Sequence, residues 1–94
     1  MNAPPTPMAD IKASVAEHFG LSLAVLCARD NSPLASDARH VAMYLGKAML
    51  GKNNCEIGKR FDRDHTTVIH ALRRVASRPD LIAAADAVRA RMAG

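Results

Sequence analysis

The run Phe61-Asp62-Arg63-Asp64-His65-Thr66-Thr67-Val68-Ile69-His70-Ala71-Leu72-Arg73-Arg74-Val75 sets the strongest constraint on this chain. Val68, Leu72 and Val75 recur at helical spacing and supply one apolar stripe, with Ile69 beside it. The start of the same helix, Asp-His-Thr-Thr, offers nothing apolar to bury. Those side chains must face solvent or a polar ligand. Arg63 lies before them and Arg73 and Arg74 after, so the ligand they suit is a nucleic acid groove.

Composition narrows the fold. The chain has 94 residues, enough for one small domain with one core, and 49% of them are apolar. It has no Trp, one Tyr and two Phe, so the core must be built from Ala, Val, Leu, Ile and Met. An alanine-rich chain of this kind favours helix over sheet. The shortage of rings also argues against stacking on single-stranded bases. The formal net charge is +4. Between Lys52 and Arg78, seven basic side chains face three acidic ones, so this one segment holds the whole excess.

Local signals predict six helices. Pro4, Pro5 and Pro7 make residues 1–9 a disordered tail ahead of a single domain over 10–94. Ile11, Val15 and Phe19 mark a first helix stopped by Gly20, and Ser22 can cap a short second one carrying Leu23 and Leu26. The turn residues of 29–36 read as a loop, followed by a long helix from Asp37 to Leu50 that Gly51 ends. Asn53 or Asn54 can cap a helix reaching Phe61, and Asp64 a helix reaching Ser77. Arg78-Pro79 closes that one, and Leu81, Ile82, Ala85, Val88 and Met92 line the last.

Two short helices joined by a tight turn, the second opening on polar residues, describe a helix-turn-helix. In that motif the first turn of the second helix meets base edges in the major groove. Asp64 can accept from cytosine N4 and His65 can donate or accept. Thr66 and Thr67 offer a hydroxyl and a methyl. Lys59, Arg60, Arg63 and Arg73 are placed to reach phosphates.

Other chemistry finds little support. His65 and His70 are five apart and have no carboxylate at ligand spacing, so no metal site is expected. His70 is expected to pack at the base of its helix, and His18 and His40 to lie at the surface. Leu45-Gly46-Lys47 and Leu50-Gly51-Lys52 lack the first Gly and the Ser/Thr of a phosphate loop, so no nucleotide, cofactor or enzymatic activity is expected. Cys27 and Cys55 read as reduced, partly buried thiols. With no signal peptide or long apolar span, a cytoplasmic, nucleoid-associated protein is expected, with no membrane contact and in monomeric form.

At Glu56-Ile57-Gly58 and at Arg63 through Ala71 the chain resembles the C-terminal DNA-binding domain of the bacterial replication initiator DnaA. The resemblance extends to Val15-Ala16-Glu17, Leu26 and Val41-Ala42-Met43-Tyr44-Leu45, and so covers Ile11 to Val75. It implies an all-α, TrpR-like bundle of about six helices whose helix-turn-helix binds a short asymmetric box in double-stranded DNA. By matching position, Asp64, His65 and Thr66 would read bases, and Arg63 and Thr67 would support them or hold phosphate. Only this domain is represented, so a DnaA-like protein without the initiator's ATP-binding module is expected. It would modulate replication initiation or transcription by occupying initiator-type boxes.

One departure is chemical. The family's basic loop ahead of the long helix sends an arginine into the minor groove. Here the stretch from Arg29 to Arg39 keeps only those two bases, as backbone contacts, and Asp30 and Asp37 offset them. Fewer phosphate contacts predict weaker binding and a shallower salt slope than a full family member. The same depletion motivates an alternative, in which the chain binds and titrates a protein that regulates the initiator.

Overall fold

The computed structural model describes residues 8–28 and 32–93. Within them the chain forms six α-helices: α1 Met8–Phe19, α2 Leu23–Cys27, α3 Pro33–Leu50, α4 Asn54–Phe61, α5 His65–Ser77 and α6 Pro79–Ala93. No strand occurs among the described residues. No helix among them is long and apolar enough to cross a membrane.

Short polar side chains start most of these helices. The Ser22 hydroxyl accepts from the Val25 N–H at 3.2 Å, and Asn53 Oδ1 from the Glu56 N–H at 2.8 Å. Asn53, rather than Asn54, is therefore the cap of α4. At the other end of α3, Gly51 takes a left-handed conformation with φ 67° and returns its N–H to the Lys47 carbonyl. A side chain there would be strained. The α5–α6 junction has no loop: Arg78 ends α5, and its carbonyl accepts from the N–H groups of Leu81 and Ile82.

Two boundaries differ from the sequence expectation. The helix expected from Asp37 begins at Pro33, four residues earlier. Ser32 caps it through the Ala35 N–H, and Pro33, which lacks the N–H that a first helical residue cannot use, sits at its start. The helix α1 already includes Met8 and Ala9, which fall in the expected tail. Met8 is buried because it reaches α3, where its methyl group fills the space a side chain at position 46 would need. The first seven residues lie outside the described ones.

The helix α3 is the central element and packs against all five others. Around it gather Ile11 and Val15 of α1, Leu26 of α2, Ile57 and Phe61 of α4, Val68 and Val75 of α5, and Leu81 and Val88 of α6. Each fully buried Val, Leu or Ile side chain contributes about 1.5–3 kcal/mol against exposure. The short α2 uses only Leu26 for this purpose, while Leu23 remains 46% exposed. Ala48 of α3 is exposed. Cys27 and Cys55 are free thiols, but they are exposed rather than partly buried.

Candidate nucleic-acid interface

The connection between α4 and α5 is set by close backbone approach. A Cβ on Gly58 would lie 2.5 Å from the Arg63 carbonyl oxygen, so only glycine lets the chain double back there. The Arg63 N–H closes the turn on the Gly58 carbonyl at 2.8 Å. Asp62 adopts a left-handed conformation, φ 55°, as the C-cap of α4. From α1, the Lys12 ammonium donates to the Arg60 carbonyl and sits 4.5 Å from the centre of the Phe61 ring. The end of α4 is thus held by a cation, which suits the negative end of a helix dipole.

Asp64 starts α5. Its Oδ1 accepts from the Thr67 N–H at 3.0 Å and from the Thr67 hydroxyl at 3.3 Å. The Thr67 backbone bond, with the hydroxyl bond behind it, lowers the Asp64 pKa below the ordinary carboxylate value. Asp64 is therefore an acceptor at neutral pH, with lone pairs left for an amino group. Thr67 is committed to the same cap and would have to release its hydroxyl to donate to a phosphate.

The trio Asp64, His65 and Thr66 is exposed at the head of α5. Along the outward face Thr66 continues into His70, Arg73 and Ser77, at spacings of four, three and four, all exposed. His70 therefore does not pack at the base of the helix. It stands one turn beyond Thr66 on the polar face, and the same helical period that identified the buried stripe places it there. On α4, Lys59 and Arg60 are exposed. A cavity of about 480 Å³ opens at the turn, lined by Gly58, Lys59, Asp62, Arg63, Asp64 and Thr67.

Two arginines do something other than expected. Arg63 spends its guanidinium on backbone carbonyls: Nη1 donates to Phe61 and Asp62, and Nη2 to Ala28 at 3.1 Å. It ties the turn to the end of α2. Arg39, expected at the DNA backbone, is 5% exposed. Its Nε donates to the Leu26 carbonyl at 3.0 Å and its Nη2 to that of Ala28 at 2.8 Å, because the last carbonyls of α2 need donors. Arg29 lies outside the described residues.

Behind α5, His40 is half-buried rather than at the surface, and its Nδ1 is buried with no hydrogen-bond partner. Burial, then the positive charge of Arg74, lowers its pKa despite the opposing Asp37. The unfolded chain therefore binds this proton more readily than the folded one. The folded state should keep its full stability above the ordinary histidine pKa of about 6.5 and lose stability as pH falls through it. Urea unfolding at several pH values should show this slope, and His40→Gln should flatten it.

The family described as the bacterial DnaA protein helix-turn-helix matches residues 8–75. Among similar proteins are the chromosomal replication initiator proteins DnaA of Zymomonas mobilis and Mesorhizobium japonicum, each 43% identical over 67 residues. That of Caulobacter vibrioides is 40% identical over the same length. The aligned stretch is 70% of this chain and 14% of each relative. The match spans α1 through nearly all of α5, including the turn at Gly58 and the capped start at Asp64. The chain belongs to the bacterial DnaA helix-turn-helix family.

Proposed function

We propose that the chain binds double-stranded DNA at DnaA-box-like sequences, with α5 in the major groove, and modulates replication initiation or transcription by occupancy. The observation that carries this reading is the outward face of α5. Polar, hydrogen-bonding side chains occupy it from Asp64 to Ser77 while its opposite face is fully committed to the core. Asp64, His65 and Thr66 read base edges at the head of the helix, and His70 extends the polar row by one turn. Lys59, Arg60 and Arg73 meet phosphates and fix the register, with Arg63 and Thr67 buttressing the turn. The 94 residues carry no Gly-rich phosphate loop, and the proposed action requires no ATP hydrolysis.

Fluorescence anisotropy on an initiator-box duplex and a scrambled duplex, over a salt series, tests this. Box-selective binding that persists at moderate salt is the expected result. Equal, weak binding to both duplexes would instead favour the alternative of a protein that titrates an initiator regulator. His65→Ala and Thr66→Ala should each reduce discrimination by about 1–3 kcal/mol, roughly 5- to 150-fold. Both side chains are exposed, so the melting temperature should barely move.

A further inference from the structure

We infer that Asp37 limits the strength of the DNA contact by engaging Arg74 and Arg78 within the fold. The inference rests on the DNA-binding reading and adds to it a residue that determines affinity. Asp37 lies near the start of α3, with its side chain only 17% exposed. Its Oδ1 accepts from Arg78 Nη1 at 3.2 Å and lies 3.8 Å from Arg74 Nε. Arg78 is further held by Asp80, at 3.2 Å and 2.6 Å.

Arg74 is the cation that matters most here. It follows Arg73 on α5, borders the polar row one turn beyond His70, and is 54% exposed. A phosphate approaching it must compete with a carboxylate already within ion-pair distance, and is itself repelled by that carboxylate. Arg73 is different: among the described residues no ion pair engages it. Two adjacent arginines on one helix are thus unequal, one without an ion-pair partner among the described residues and one within ion-pair distance of Asp37. Counterion release makes the difference measurable, because each added phosphate contact steepens the salt slope by about 0.9.

Asp37→Asn keeps the side-chain shape and removes the charge. It should bind duplex DNA about 5- to 10-fold more tightly at low salt and steepen the slope by roughly one contact. The gain should appear on box and scrambled duplexes alike, since the phosphate term carries no sequence information. Adding Arg74→Gln to Asp37→Asn should cancel it. In the wild-type background Arg74→Gln should stay within about twofold of wild type, whereas Arg73→Gln should lose about one unit of slope.

Equal slopes for wild type and Asp37→Asn would overturn the inference, including the case in which neither binds. If Asp37→Asn melts too low to assay, the two arginine variants decide. Equal losses from Arg73→Gln and Arg74→Gln would overturn it, and a loss confined to Arg73→Gln supports it. Box selectivity of the wild type reports separately on the DNA-binding reading.

Discussion

Gly58→Ala is expected to destabilise the domain by about 1–3 kcal/mol and to abolish box-selective binding in the same step. The added methyl would meet the Arg63 carbonyl oxygen at 2.5 Å and the Asp64 carbonyl carbon at 3.3 Å. Both are backbone atoms, so no side-chain rotation relieves the contact. Relief requires the turn to open, which breaks the Arg63 N–H bond to the Gly58 carbonyl and shifts Asp64 away from the start of α5. For a chain of this size the melting temperature should fall by roughly 5–20 °C. Binding should suffer more than stability, because a shift of the turn re-aims Asp64, His65 and Thr66 together. Circular dichroism melts and anisotropy measured well below the new midpoint separate the two effects. A variant that melts lower yet keeps full box selectivity would show that the turn does not position the reading residues.

Much of this fold was legible because its signals are local. Ser22, Gly51, Asp64 and the Arg78-Pro79 pair act on backbone groups within four residues, and each stands at the boundary its chemistry predicts. The start of α3 is ambiguous in the sequence because Ser32-Pro33 suits a turn as well as a helix start, and only the continuation decides between them. The trio at the head of α5 was legible for the opposite reason: three polar residues against a strict apolar stripe have nowhere to go but outward. His70 could have been placed with them by counting four residues from Thr66. What a single helix could not reveal was the partner of a long side chain. The ion pairs of Asp37 join residues 37 and 41 positions apart, and neither end advertises the other.

Arg39→Met should cost about 2–4 kcal/mol and lower the melting temperature by roughly 10–30 °C, the largest effect expected of any arginine among the described residues. The residue falls in a buried row of small neighbours on α3, Ala35, Ala42 and Gly46, at spacings of four, three and four. At Gly46 the missing side chain leaves room for the Met8 methyl of α1, and the Arg39 guanidinium is directed at the end of α2. Methionine can fill the space of the stem, but it leaves the Leu26 carbonyl without its charged donor and takes from the Ala28 carbonyl one of its two arginine donors. Arg39→Lys should recover only part of the loss, since one ammonium lacks the planar fork that spans two carbonyls. A phosphate contact would give the reverse pattern: an unchanged melt, a shallower salt slope and near-full rescue by lysine. Because Arg63 shares the Ala28 carbonyl, release of the α2 end also removes an anchor of the turn between α4 and α5. The folded fraction of Arg39→Met should therefore bind the box less tightly than wild type while keeping the same salt slope, as expected of a residue that holds the reading helix in place without touching DNA.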